Sequence, residues 1–214
     1  VGSNTLLVVI NLSSGAAGGS TFNASLEGAA DVVTTGGVSA LDITETFATQ
    51  RSSSATIFGS LAVTGSSQVA SYTRLGSSNV TVIAFNFTTT GEQMNVSEII
   101  ITRNGTATNA DVASVSLYSS ADPSTTTYNG SQTFLAANLS PTNGRYNFSS
   151  INLSVPTGAT GRIVVAVFNI SSSATAGNTF NASIESATDI VTVGNTSYQS
   201  ITETLATGRS GTST

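Results

Sequence analysis

The chain has 214 residues, 39% of them apolar and only 8% charged, with six arginines against eleven acids, a net charge of −5, and no lysine, histidine, cysteine or tryptophan. No imidazole base, thiolate nucleophile, Schiff-base amine or Cys/His metal cluster can therefore form, which removes most enzyme mechanisms. The acidic balance lacks the electrostatic footprint of a nucleic-acid or anionic-membrane binder, and no stretch reaches the roughly 18 apolar residues of a membrane span.

Taken in chain order, nearly every segment reads as strand: short runs of Val, Ile, Phe, Tyr and Thr bounded by Gly, Asn, Asp, Pro and Ser. The expected strands are 5–12, 21–27, 40–48, 55–63, 80–87, 96–102, 112–118, 146–155, 162–170, 179–185 and 197–205. Gly15 to Ser20 reads as a flexible loop, and a single helical turn is conceivable around 107–113. Asn104-Gly105, Asn129-Gly130 and Asn143-Gly144 supply the positive φ that tight turns need. Many short strands without alternating helices predict an all-β fold, an antiparallel β-sandwich of jelly-roll or immunoglobulin-like type.

The chain repeats itself at an offset of 158 without a gap, and 27 of the 52 residues from Thr5 to Thr56 are identical to their counterparts in Ile163 to Thr214. Thr21-Phe22-Asn23-Ala24-Ser25 returns as Thr179-Phe180-Asn181-Ala182-Ser183, and Ile43-Thr44-Glu45-Thr46 as Ile201-Thr202-Glu203-Thr204. Residues 57–214 therefore read as one complete module, and residues 1–56 as the C-terminal part of another, a donor or swap segment. A period of 158 is the size of a domain rather than of a solenoid repeat. The start at Val1 suggests either a processed mature subunit or a window of a longer array.

Serine and threonine together number 69, about a third of the chain, and replace charge as the polar component. Thirteen of the seventeen asparagines open an Asn-x-Ser/Thr triplet: Asn11, Asn23, Asn79, Asn86, Asn95, Asn104, Asn129, Asn138, Asn147, Asn152, Asn169, Asn181 and Asn195. Random placement among so many hydroxyls would give roughly half as many. In ten of them the middle residue is apolar, among them Leu12, Phe87, Leu139 and Leu153, so in a strand it points inward while Asn and Ser/Thr share the outer face. Ile151, Leu153 and Val155 should face the core and Asn152 and Ser154 the outside. The pattern predicts an N-glycan coat that keeps a charge-poor protein hydrated.

The eleven acids form no ligand-dense loop. No cofactor is expected beyond N-linked glycans; a structural Ca2+ on Asp111 or Asp122 is the minor alternative. Glu45 with Arg51, and Glu203 with Arg209, recur at one spacing and suggest a strand-end ion pair. Tyr72, Tyr118, Tyr128 and Tyr146 are candidate stacking faces but fit core or strand edges better.

No catalytic residue, cofactor site or metal site emerges, and the expected class is a structural protein rather than an enzyme. Serial repetition suggests an extracellular or cell-surface fibre of modules joined head to tail. Leu6, Leu7, Val8, Val9 and Ile10 are the candidate assembly strand, able to complete a neighbouring copy's sheet by strand addition or swapping. On these features the chain resembles the glycosylated, donor-strand-complemented filament subunits of archaeal and bacterial surfaces, such as thread-type pili and biofilm-matrix fibres. That resemblance implies polymerisation with copies of itself and a role in adhesion or biofilm. The alternatives are a carbohydrate- or cell-binding adhesin module of a long repetitive surface protein, or a surface-layer or viral shell component.

Overall fold

The computed structural model describes residues 5, 7–13, 15–33, 48–201, 203–206 and 213. Its strands are β1 Thr21–Phe22, β2 Ser25–Leu26, β3 Gln50–Arg51, β4 Ala55–Thr56, β5 Ser60–Ser67, β6 Val80–Thr90, β7 Met94–Asn104, β8 Val112–Ser120, β9 Thr133–Asn138, β10 Arg145–Val155, β11 Gly158–Ile170, β12 Asn181–Ser183, β13 Ile190–Gly194 and β14 Thr204–Ala206. The only helical pieces among the described residues are single 3-10 turns at Ala29–Asp31 and Ala187–Asp189.

Residues 60–206 build an all-β, sandwich-like fold. One sheet has six strands in the order β14-β5-β6-β11-β8-β9; in the other, β7 pairs with β10 along one edge and with β12 and β13 along the other. Among the described residues these strands pair antiparallel except β14 with β5, and an isolated parallel bridge joins Thr89 to Thr157. The main core between the sheets holds Leu61, Phe85, Phe87, Met94, Ile99, Ile101, Tyr146, Phe148 and Phe168.

β11 explains why one run of this sequence loses its polar alternation. Val164, Ala166 and Phe168 face the main core, whereas Ile163, Val165 and Val167 enter a second apolar cluster with Ala84, packed beneath Tyr118 and Tyr128. A strand covered on both faces needs apolar residues at both parities. In β10 the parity instead switches: Tyr146 and Phe148 are buried, then Ile151, Leu153 and Val155. The switch coincides with a break in register between Ser149 and Leu153, where Ser150 takes φ of 60°. An irregularity of this kind re-aims the residues after it.

Several expected elements differ. Residues 133–138 and 190–194 are additional strands, and among the described residues of the segment expected at 197–205 only 204 and 205 are strand, in a piece that runs to Ala206. The expected strand at 55–63 is interrupted at Ile57–Gly59, and that at 21–27 is two short pieces. Around 107–113 there is a turn leading into β8, not a helix, because the Asp111 side chain bonds back to Thr108. The segment expected at 5–12 carries no strand pairing among its described residues. Strand 40–48 falls almost wholly outside the described residues. Asn143-Gly144 forms the expected tight turn, with φ of 52° and 74°. Among the described residues no helix is long and apolar enough to cross a membrane.

Candidate assembly surface and glycosylation positions

The repeat folds alike in its two settings. In both copies a 3-10 turn is closed by an aspartate: Asp31 accepts from the N–H groups of Glu27 and Gly28 at 2.8 and 3.2 Å, and Asp189 from those of Glu185 and Ser186 at 3.1 Å each. Phe22 pairs with Ala55 across β1 and β4, and the counterparts Phe180 and Ser213 form the same bridge.

What differs is the covering. Leu7, Val8, Val9, Ile10 and Leu12 correspond to Val165, Ala166, Val167, Phe168 and Ile170 of β11. The β11 residues are buried between β6 and β8, whereas Leu7, Val8, Val9 and Leu12 are more than half exposed. Val8 and Ile10 join Phe22, Ala24, Leu26 and Ala55 along an open groove of about 700 Å3. Their counterparts Ala166, Phe168, Phe180, Ala182 and Ile184 are all buried in the main core. The described residues of the first 56 thus carry apolar positions that are buried in their second copy and open in the first. Leu6 lies outside the described residues.

This segment meets the module through a clip centred on Glu92, at the β6–β7 turn. The Gly18 N–H donates to Gly91 O at 3.2 Å and the Gly19 N–H to Ile57 O at 2.8 Å, while the Ile57 N–H returns a bond to Ser20 O at 2.7 Å. The Glu92 carboxylate accepts from the N–H groups of Gly59, Thr196 and Ser197 and from the Ser197 hydroxyl, at 2.6–3.1 Å. Burial pushes this carboxyl up, but the Ser197 hydroxyl and the three N–H donors outweigh it and hold the group below its ordinary value. Nothing in the sequence marked Glu92, which reads as one more acid in a hairpin turn.

Of the thirteen Asn-x-Ser/Thr positions, Asn11, Asn23, Asn79, Asn129, Asn147, Asn152 and Asn195 are exposed, and Asn86, Asn95, Asn104, Asn138, Asn169 and Asn181 are half-buried. Asn129 sits in a surface turn where its Oδ1 accepts from the Ser131 N–H and hydroxyl at 3.0 and 2.7 Å. In contrast, the amide nitrogen a sugar would need is engaged at Asn104, which donates to Ser183 and Glu185, and at Asn169, which donates to Ser114 Oγ at 2.8 Å. Phe87, Val96, Phe148, Leu153, Ile170 and Ala182 point inward as the triplet pattern predicts. Leu12 and Leu139 are exposed instead, the first on the uncovered segment and the second just beyond the end of β9.

Arg51 bonds Glu27 at 2.7 Å, a cross-strand neighbourhood set by β2 and β3. Glu45 and Arg209 lie outside the described residues. Glu203 is buried, and burial pushes its carboxyl above the ordinary value. Asp111 is buried and accepts from Thr108, Thr175 and Asn178; the Thr108 and Thr175 N–H groups hold it well below the carboxylate range. Asp122 is held down by Ser124 and Thr125 in its own turn. Among the described residues no three acids gather around either one.

Tyr146 is core, Tyr118 and Tyr128 meet with ring centroids 4.4 Å apart and planes tilted by 41° over the outer cluster, and Tyr72 remains exposed. The sequence matches no protein-family model and no curated protein.

Proposed function

We propose that the protein is a structural subunit of an extracellular, N-glycosylated filament whose 158-residue modules follow one another head to tail. The observation that carries this reading is the exposed apolar segment 7–12, whose sequence twin is the innermost strand of the sandwich. Such a segment is stabilised by entering a sheet, where it gains a backbone ladder and buries its side chains. Its matching slot, between β6 and β8, is filled within the chain by β11. Joining a neighbouring module therefore means exchange with that strand or pairing with the equivalent strands of a further module. Exposed Asn-x-Ser/Thr positions, few charges and strands throughout suit a sugar-coated fibre that adheres to surfaces or builds a biofilm matrix.

Electron microscopy of purified protein tests the reading. Regular filaments are expected from the full chain and none after deletion of residues 1–14; filaments that persist without the segment would overturn the strand-exchange part. Native material should weigh kilodaltons more than the 21.5 kDa polypeptide, and a mass equal to the bare chain would remove the glycan coat.

A further inference from the structure

Asn129 carries two chemistries at once. It opens the exposed triplet Asn129-Gly130-Ser131, and it is also an asparagine followed by glycine, of which the chain has three: Asn104-Gly105, Asn129-Gly130 and Asn143-Gly144. In such a pair the glycine nitrogen, once deprotonated by hydroxide, attacks the asparagine Cγ and closes a succinimide ring. Closing the ring rotates the peptide between the two residues, so the glycine must be free to turn. The side-chain amide must be free to leave, and the side-chain oxygen, which becomes negative, is helped by hydrogen-bond donors already aimed at it.

Asn129 meets all of these conditions. A Cβ built at Gly130 meets nothing within 4 Å, and the Gly130 N–H has no acceptor among the described residues. The Asn129 Oδ1 accepts from the Ser131 N–H at 3.0 Å and from the Ser131 hydroxyl at 2.7 Å, two donors on the atom where charge develops. The chain around this turn is pinned. The Tyr128 N–H donates to Thr81 Oγ1 at 2.9 Å, the Asn129 N–H to Gln132 Oε1 at 3.2 Å, and the Gln132 amide to Thr127 O at 2.7 Å.

The other two pairs are locked. The Asn104 amide donates to Ser183 Oγ at 2.9 Å and to Glu185 Oε1 at 3.0 Å, and a Cβ at Gly105 would clash with Thr179 O. Gly144 is buried, its carbonyl accepts from the Arg103 N–H at 2.8 Å, and paired bonds between Thr142 and Arg145 at 3.1 and 3.0 Å close the turn around it.

We infer that Asn129 is a self-modifying site, which cyclises onto Gly130 and opens to aspartate or isoaspartate unless a sugar occupies its amide. The Gly130 nitrogen gives its proton to hydroxide and bonds to Asn129 Cγ; the Cγ–Nδ2 bond then breaks, and Nδ2 takes a proton from water and leaves as ammonia. Water next adds to either ring carbonyl and cleaves one of the two ring C–N bonds. Both products carry a new negative charge, and the isoaspartyl one also routes the main chain through an additional methylene. An N-linked sugar opposes the reaction, because it sits on the leaving nitrogen and crowds Cγ. The neighbouring Tyr128 caps the outer cluster of Ile163, Val165 and Val167, so conversion also loosens the cover of β11.

The protective part rests on the N-glycosylated surface proposed above, whereas the cyclisation does not. Full chain made without glycosylation and native material are incubated side by side in mildly alkaline buffer, and the three Asn-Gly peptides are followed by mass mapping. In the folded bare chain the peptide holding Asn129 should convert at least about tenfold faster than those holding Asn104 and Asn143. In urea the three rates should converge. Ser131→Ala, which removes the hydroxyl donor and leaves the N–H, should slow conversion several-fold, and sugar-bearing native peptides should stay unconverted. An unconverted Asn129 in the folded bare chain, or equal rates at the three pairs, overturns the inference. Ser131→Ala that reacts as fast as the parent removes the role given to the donors, and sugar-bearing peptides that convert as fast as bare ones remove the protection. If native Asn129 carries no sugar and converts, the cyclisation stands while the glycan reading fails at that position.

Discussion

Val9 and Val167 occupy the same position of the repeat, yet the first is 74% exposed and the second 1%. Identical chemistry thus has opposite energetic weight in its two settings. Val167→Ala should cost about 2 kcal/mol in urea unfolding, because it opens a cavity in the outer cluster. Val9→Ala should stay within about 0.5 kcal/mol of the parent in dilute solution. Under the proposed strand exchange the order changes: Val9→Asp should abolish assembly while leaving the monomer's melting unaltered.

Glu92 gives the clip a dependence on acid. Its folded-state value is lowered, so its contribution is fully present above the ordinary value of 4.5 and is lost as pH falls through the folded one. Glu92→Gln retains the shape but weakens charge-assisted bonds, and should destabilise the neutral-pH protein by about 1–3 kcal/mol. The difference from the parent should shrink in acid, read as two melting curves converging.

Glu203 has the opposite sign. Burial raises its folded-state value, which favours the uncharged form; that contribution is complete below the ordinary value and disappears as pH rises through the folded one. Glu203→Gln should therefore melt above the parent at about pH 8 and together with it at about pH 4. Equal melting at both values would show that the carboxyl is solvated.

Sugar occupancy should follow the hydrogen bonds. Asn129→Gln and Asn152→Gln should each remove one glycan from native material with little effect on melting, because both sites are exposed. Asn169→Gln should remove none and destabilise by about 0.5–1.5 kcal/mol, since it breaks the bonds to the exposed Asn79 N–H and the half-buried Ser114. Asn169 Oδ1 accepts from the Asn79 N–H at 2.8 Å and its amide holds Ser114. Peptide mass mapping separates the two classes.

The long central strands were legible because their apolar runs and turn residues coincide, as at Val80, Arg145 and Asn143-Gly144. β9, with its Ala136-Ala137 pair, has too little β-branched character to stand out, and β13 follows directly on a 3-10 turn. The run 5–12 carries the same periodicity as β11, but a strand also needs neighbours, which periodicity does not report. The ion pair of Arg51 went to Glu27 because cross-strand register brings distant residues together. Glycosylation triplets were visible as a pattern, whereas the engagement of Asn104 and Asn169 depends on side chains tens of residues away.

The parallel pairing of β5 with β14 has a mechanical meaning. β5 opens the module and β14 lies near its end, side by side with Thr204 opposite Ala62 and Ala206 opposite Thr64. Traction applied to the two ends of a parallel pair pulls the strands lengthwise past each other, so their bonds bear load together rather than peeling one at a time. A module wired in this way resists stretching along the line on which its neighbours would pull.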